Sequence, residues 1–179
     1  MADEPLGRVI AALNASGVEY MLTGSYASNV YGRVRSTFDA DLVVALESAQ
    51  LSRLLESLGQ GFYTDARTMK EIREAGGQFN AVHKTSGLKI DFYLPRDAHD
   101  RETLGRRRMH RLWGQAVPVI SPEDLILAKL LWAREGGSAR QVEDARGVYE
   151  VQKDRLDLAY LKARAETLSI QESLRAILK

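Results

Sequence analysis

Residues 20–44 of this chain read Y-M-L-T-G-S-Y-A-S-N-V-Y-G-R-V-R-S-T-F-D-A-D-L-V-V, and this stretch decides the fold. The apolar run at residues 20–22 predicts a short buried strand. The turn signal at residues 23–25 ends that strand and leads into a segment that can be helical. A second strand is predicted at residues 38–44, where apolar residues alternate with two acids.

The two acids of the second strand are Asp39 and Asp41. Because side chains alternate between the faces of a strand, both carboxylates lie on one face and the apolar side chains on the other. Aspartate is depleted in strands, and neighbouring like charges repel, so this arrangement is costly without a cation between them. A divalent metal is a usual solution, and the pattern therefore predicts an active site. The alternative is a charged, solvent-exposed strand edge.

A third acid of the same kind is Asp91, in the predicted strand L-K-I-D-F-Y-L at residues 88–94. In this strand Lys89, Asp91 and Tyr93 share one face, and the apolar residues share the other. Three such aspartates can hold one or two hard cations through their oxygens. Asp91 alone could be a solvent-facing strand residue or an ion-pair partner of the neighbours of Lys89.

The turn at Gly24 and Ser25 has the composition of a phosphate-binding turn. Glycine allows the backbone to approach a phosphate closely, and a helix N-terminus directs N–H groups and a positive dipole end at it. An ordinary loop is the alternative for such a short signal. Together with the three aspartates, however, this turn favours phosphoryl or nucleotidyl transfer.

The order of the remaining elements predicts an α+β fold: a small mixed sheet with packed helices, followed by a helical portion that closes the cleft. Residues 1–120 are expected to form the α/β core and residues 121–179 the C-terminal helical portion. Residues 59–67 are expected to form a connection and residues 69–75 a short helix or turn. Further strands are predicted at residues 78–83, 88–94 and 117–120, and helices at residues 5–13, 25–31, 49–58, 121–134, 138–151, 158–167 and from 171.

The composition bounds the function. The chain has 179 residues and a net charge of +1, so only a local patch, and no global field, could attract nucleic acid or a membrane surface. It has no cysteine, which excludes disulfides and thiolate metal sites and fits a reducing cytoplasm. No apolar run approaches the roughly 18 residues of a membrane span. A cytoplasmic protein without membrane contact is the expectation.

The motif Gly24-Ser25…Arg35-x-Thr37-x-Asp39-x-Asp41 resembles the G-[GS]…R-x-T-x-D-x-D motif of the DNA polymerase β-like nucleotidyltransferase superfamily. It looks closest to the AbiEii-type toxin nucleotidyltransferases and their bacterial relatives. The resemblance implies that Asp39 and Asp41 bind Mg²⁺ and that Asp91 assists as metal ligand and base. It further implies roles at a nucleoside triphosphate: Ser25 and the adjacent backbone hold the terminal phosphates, and Arg35 and Thr37 brace either the turn or the phosphates.

Two later residues extend the resemblance. Lys129 is the only charge within the apolar helical run at residues 125–133. It either reaches solvent along its stem or enters the cleft, where the families place a lysine that contacts the triphosphate or an aspartate. Asp144 resembles the aspartate of a K-D motif on the next helix, but Glu143 stands where that lysine is expected, so the role of Asp144 stays open.

The segment Arg96–Arg111 has six arginines against three acids. It could hold an RNA or nucleotide phosphate, or it could form a solvated, ion-paired face.

The sequence as a whole predicts Mg²⁺-dependent transfer of a nucleoside monophosphate to an acceptor hydroxyl. By resemblance to the toxins, the acceptor would be a tRNA end or a protein side chain, and an antitoxin is a candidate partner. An antibiotic acceptor is an alternative, because some members of the superfamily modify aminoglycosides, but no residue of this sequence favours it. The rival is a catalytically silent member of the superfamily that binds a nucleotide or a partner protein as a regulator.

Overall fold

The computed structural model of the chain describes residues 4–64 and 77–179. Within these residues it contains seven strands in one mixed sheet and eight α-helices, which confirms the predicted α+β class. The short helix or turn predicted at residues 69–75 lies outside the described residues.

The strands are β1 (Glu19–Thr23), β2 (Asp39–Ala45), β3 (Phe62–Thr64), β4 (Gln78–His83), β5 (Lys89–Tyr93), β6 (Arg108–Leu112) and β7 (Gln115–Val119). The helices are α1 (Pro5–Ala15), α2 (Gly24–Tyr31), α3 (Ser48–Leu58), α4 (Ala98–Gly105), α5 (Pro122–Gly136), α6 (Ala139–Gln152), α7 (Leu158–Thr167) and α8 (Gln171–Ile177). The expected connection at residues 59–67 was wrong in part, because it includes the strand β3. The segment Arg96–Arg111, which we call the basic segment and for which no helix or strand was predicted, forms α4 and most of β6.

The chain divides into two compact units. Unit 1 consists of the described residues of Met1–Thr23 and Thr37–Val119, and it contains the whole sheet. Unit 2 consists of Gly24–Ser36 and Ile120–Lys179. Helix α2 therefore groups with the C-terminal helices, whereas the division expected at residue 120 assigned it to the first part.

The sheet of unit 1 has the strand order β3-β4-β5-β2-β1-β7-β6. Strand β2 lies at its centre, antiparallel to β1 and parallel to β5. Strand β1 is also parallel to β7, and the remaining pairs are antiparallel. The two strands that carry the aspartates are thus direct neighbours in the middle of the sheet.

One face of this sheet forms the core of unit 1. Ala40, Leu42 and Val44 alternate along β2 and are completely buried, as two-residue periodicity requires of a face turned to the core. The amphipathic helix α1 contributes its own buried stripe, and the Tyr20 hydroxyl donates to Asn14 Oδ1 at 2.9 Å, which ties β1 to this helix. The opposite face of β2 is consequently the one that carries Asp39 and Asp41.

Helix α5 is the centre of unit 2. Its start follows the sequence signal: the Ser121 hydroxyl accepts from the Asp124 backbone N–H, and Pro122 occupies the first turn. Residues 122–127 are all buried, and α5 packs against α6. Gly32, just after α2, allows a close approach to α6, because a Cβ at this position would lie 3.0 Å from the Val148 backbone nitrogen.

Within the described residues, no helix combines the length and apolar character needed to cross a bilayer.

Candidate functional site

The three predicted metal-binding aspartates lie on one face of the sheet. Asp41 on β2 is paired in register with Asp91 on β5, and Asp39 is paired with Lys89. Because neighbouring strands are about 4.8 Å apart and paired residues point to the same face, the carboxylates of Asp41 and Asp91 stand side by side. We call Asp39, Asp41 and Asp91 the aspartate cluster.

A lysine belongs to the same face. The Lys89 Nζ lies 2.8 Å from Asp91 Oδ1 and donates to Asp91 Oδ2 at 2.9 Å. The Asp91 side chain is only 8% exposed, whereas that of Lys89 is 42% exposed. The hydrogen bond to Asp91 raises the pKa of Lys89 against the opposing effect of desolvation, and the charges of Asp91, Asp39 and Asp41 add to the increase. The sequence indicated the shared face but not this ion pair.

Tyr93 is a polar neighbour of the aspartate cluster that sequence reasoning did not assign to the site. Its hydroxyl donates to Asp41 Oδ1 at 3.3 Å. Burial, followed by the negative charges of Asp41 and Asp91, raises the pKa of Tyr93 well above its usual value. Tyr93 therefore stays protonated at neutral pH and acts as a hydrogen-bond donor to the carboxylate. Its position two residues after Asp91 on the same strand face is the signal that could have identified it.

The aspartate cluster fits a divalent cation in its donor chemistry. It offers carboxylate oxygens from adjacent strands, which are the ligands that Mg²⁺ prefers. Asp91 Oδ1 is buried and accepts no hydrogen bond, although the Lys89 ammonium lies 2.8 Å from it as an ion-pair partner. As the side chains stand, no group of three His, Cys, Asp or Glu residues in the described parts of the chain is arranged to hold a metal ion.

Thr37 braces the beginning of β2. Its hydroxyl donates to the Asp39 backbone carbonyl at 3.1 Å and accepts from the Asp39 backbone N–H at 3.4 Å. These bonds fix the backbone of Asp39 at the first position of β2, where the sheet supplies fewer backbone hydrogen bonds than in the middle of the strand. In unit 1, Thr37 therefore has a structural role, because it holds the backbone of Asp39, the first residue of the aspartate cluster.

In unit 2, Gly24 and Ser25 open helix α2. Gly24 has a φ of 62°, in the left-handed region that favours glycine. The first N–H groups of a helix have no partners within the helix, and no acidic residue occupies the first turn of α2. The Ser25 hydroxyl accepts a hydrogen bond of 2.7 Å from Arg35 Nη2. This helix start has the features of an anion-binding turn.

Asp144 contacts two other predicted residues of unit 2, Arg35 and Lys129. It accepts from Arg35 Nε at 3.1 Å and Arg35 Nη2 at 3.0 Å, and from Lys129 Nζ at 2.9 Å. The Lys129 side chain is 1% exposed and that of Asp144 9%. Burial would raise the pKa of Asp144, but the hydrogen bonds from Arg35 and Lys129 outweigh it and lower that pKa below 3.8. Arg35, Lys129 and Asp144 form what we call the Asp144 network.

Asn29 on α2 was missed by sequence reasoning, although it fixes the segment that carries Arg35. Its Oδ1 accepts from the Arg35 backbone N–H at 2.9 Å, and its Nδ2 donates to the Arg35 carbonyl at 2.8 Å. An asparagine within a short helix is unfavourable unless its side chain bonds to the backbone, and this is the signal that could have identified it.

The lowered pKa of Asp144 predicts a pH dependence of stability. Because the folded pKa lies below 3.8, the ionised carboxylate stabilises the fold above that pH, and this contribution is lost as the pH falls through the folded value. We expect the free energy of unfolding, measured in urea from about pH 5 down to about pH 2, to fall less steeply in Asp144→Asn than in the wild type. Equal slopes would contradict the assignment.

The basic segment is partly neutralised within unit 1. Arg107 forms an ion pair with Glu19 at 2.9 Å, and Arg96 forms one with Asp100 at 3.2 Å. Asp97 caps α4 by accepting from the Asp100 backbone N–H. These contacts agree with the interpretation as an ion-paired surface, and binding of RNA by this segment stays a prediction.

No protein-family model and no curated protein sequence matches this chain. Solved structures do match it. An antigenic nucleotidyltransferase-like protein from Paracoccidioides brasiliensis is 18% identical, with 96% of this chain and 92% of that chain covered and a TM-score of 0.58. ANT(2″)-Ia in complex with adenylyl-2″-tobramycin is 15% identical, with coverages of 92% and 94% and a TM-score of 0.63.

A third similar structure is the lincosamide antibiotic adenylyltransferase LnuA with bound lincomycin. It is 12% identical, with 83% of this chain and 97% of that chain covered and a TM-score of 0.51. At such identities the likeness concerns the fold. The chain therefore has the fold of nucleotidyltransferase-like proteins, as the motif at residues 24–41 predicted.

Proposed function

We propose that this protein is a Mg²⁺-dependent nucleotidyltransferase, which moves a nucleoside monophosphate from a nucleoside triphosphate to an acceptor hydroxyl. The proposal rests chiefly on one observation: Asp41 and Asp91 are paired in register on neighbouring parallel strands, with Asp39 on the same face. The likeness in fold to nucleotidyltransferase-like proteins supports it.

The aspartate cluster supplies the chemistry in this proposal. Asp39 and Asp41 hold the metal, with Asp91 as a third ligand. Mg²⁺, when bound, supplies positive charge to the α-phosphate and to the leaving pyrophosphate. The acceptor oxygen forms a bond to the α-phosphorus as the bond to pyrophosphate breaks, and the hydroxyl proton passes to the Asp91 carboxylate. Tyr93 orients Asp41 through its hydrogen bond.

In unit 2, we assign phosphate binding to the start of α2. The backbone N–H groups at Gly24 and Ser25 are suited to the terminal phosphates, because the left-handed Gly24 leaves no Cβ in their way. Arg35 then supports this turn, since its guanidinium donates to the Ser25 hydroxyl. The bracing role of Arg35 is the one that its contacts favour.

Two roles are proposed for Lys129. One is contact with a phosphate, as the resemblance implies. The other is neutralisation of Asp144, which the ion pair of 2.9 Å and the burial of the ammonium favour. In the second case Asp144 is a positioning residue, because it holds the guanidinium of Arg35 against Ser25.

Two classes of molecule are candidates for the acceptor. The resemblance to AbiEii-type toxins suggests a tRNA end or a protein side chain, with a cognate antitoxin as partner. The structural likeness to proteins described as bound to adenylyl-2″-tobramycin and to lincomycin suggests a small hydroxyl-bearing antibiotic. Both classes use the same in-line attack by a hydroxyl oxygen.

One observation favours a second function, that of a catalytically silent regulator. Lys89 contacts both oxygens of Asp91, and a permanently neutralised third carboxylate would suit a protein that binds a nucleotide without turning it over. A regulator of this kind would gain thermal stability from a nucleoside triphosphate but transfer no label.

The test is transfer of label from each of the four α-labelled nucleoside triphosphates, with Mg²⁺ or with a chelator. The acceptors are purified tRNA, tobramycin, lincomycin and a bacterial extract that is afterwards treated with ribonuclease or protease. We expect Mg²⁺-dependent label in one acceptor. Thermal stabilisation by a nucleotide without label in any acceptor would favour the silent regulator. If the protein shows neither label transfer nor thermal stabilisation by a nucleotide, both proposed functions are wrong.

A further inference from the structure

The position of Lys89 carries a consequence for metal binding. Strand β5 is parallel to β2, with Asp91 opposite Asp41 and Lys89 opposite Asp39. The Lys89 ammonium is therefore held on the same face as three carboxylates, at the place where a cation is needed. One ammonium among three carboxylates leaves the face with an excess of negative charge, so an attraction for a divalent cation persists.

The contacts of Asp91 show which carboxylate the ammonium occupies. Nζ lies 2.8 Å from Oδ1 and 2.9 Å from Oδ2, so both potential ligand atoms of Asp91 face Lys89. The side chain of Asp91 is 8% exposed. A metal ion held by both oxygens of Asp91 and the Lys89 ammonium compete for this carboxylate, because the two positive charges repel each other at such short distances.

We propose that Lys89 is a built-in competitor for the metal site, whose ammonium takes the place of a divalent cation at Asp91. Binding of a metal through Asp91 requires Lys89 to leave, which its 42% exposed side chain can do by turning to solvent. The affinity for the metal is lowered by the free energy of the pair. The inference rests on the proposed function, because it takes the aspartate cluster as the metal site.

The test is the affinity for Mn²⁺, measured by calorimetry and by the loss of the free-ion electron paramagnetic resonance signal, with no nucleotide present. We expect Lys89→Met to bind Mn²⁺ about 5- to 150-fold more tightly than the wild type, the range of a coupling between two sites. Lys89→Arg, which keeps the charge, should stay near the wild type. Lys84→Met is the matched control, since it removes an exposed lysine from the turn between β4 and β5.

A double-mutant cycle assigns the effect to Asp91. In an Asp91→Asn background, Lys89→Met should no longer tighten Mn²⁺ binding, because the carboxylate for which the two cations compete is gone. Lys89→Gln is the second variant, in case Lys89→Met does not fold. Labelling of the Lys89 amine by reductive methylation should also become faster when Mn²⁺ is added to the wild type.

The outcomes separate the inference from the proposed function. Mn²⁺ binding that depends on Asp39 and Asp41 but is unchanged or weakened in Lys89→Met overturns the inference and leaves the metal site standing. A gain of equal size with and without the Asp91 carboxylate also overturns it. If neither the wild type nor folded Lys89→Met and Lys89→Gln bind Mn²⁺, the inference and the metal-dependent function fail together.

Discussion

Asp39→Asn and Asp41→Asn should each lower the rate of nucleotidyl transfer about a thousandfold or more without weakening the fold. Each substitution removes a charged oxygen ligand, and charge stabilisation by a bound metal is worth several kcal/mol in the transition state. Since each factor of ten in rate corresponds to about 1.4 kcal/mol, a loss of this size follows. The measurement is the initial rate of label transfer with saturating nucleoside triphosphate and Mg²⁺.

The fold should tolerate both substitutions because of where these side chains lie. Asp39 is exposed and Asp41 partly buried, and asparagine keeps the shape of each while removing a repulsion between like charges. We expect the free energy of unfolding to stay within about 0.5 kcal/mol of the wild type. Asp154→Asn, at an exposed position in unit 2, is the matched control. Transfer by Asp39→Asn or Asp41→Asn within tenfold of that control would exclude the assigned metal ligands.

The central strands were predictable because burial on one face imposes a period of two. Ala40, Leu42 and Val44 had to point into the core, so Asp39 and Asp41 had to share the other face. The hairpin of β4 and β5 followed from the same alternation and from its polar turn. The candidate metal-binding residues could therefore be predicted, because they are charged residues that interrupt an apolar pattern at a fixed spacing.

The edge strands were not predictable for the converse reason. Strand β3 has three residues, and β6 reads R-M-H-R-L, in which apolar and charged residues do not alternate cleanly. Edge strands bury fewer apolar side chains and often carry charged ones, so their sequences lack the regular alternation of apolar and polar residues. Nor does periodicity specify that β2 pairs with β5, because strand order depends on connections and packing between distant segments.

The contacts of the site residues were even less accessible from sequence. Alternation put Lys89 and Asp91 on one face, but an ion pair between them depends on rotamers and on the burial of Asp91. Arg35 and Asp144 are 109 positions apart, and their bidentate contact follows from the packing of α2 against α6. The motif gave the residue types, and tertiary structure alone gave their partners.

Asp144→Ala should destabilise the protein by about 3–5 kcal/mol, the largest stability effect that we expect in unit 2. The substitution leaves the Lys129 ammonium, 1% exposed, without the carboxylate to which it donates at 2.9 Å. It also removes both hydrogen bonds that hold the guanidinium of Arg35. Urea unfolding followed by circular dichroism measures the loss, and Glu143→Ala, an exposed neighbour on α6, is the control.

Lys129→Met identifies the cause of that loss. If the cost comes from burying the Lys129 ammonium without the Asp144 carboxylate, the double variant Asp144→Ala, Lys129→Met should regain much of the stability, because methionine fills a similar volume without a charge. Lys129→Met alone should cost less than Asp144→Ala, since Asp144 keeps Arg35 as its partner. A double variant whose two losses simply add would show that the two side chains stabilise unit 2 independently. In that case the assignment of Asp144 as the residue that neutralises Lys129 would be wrong.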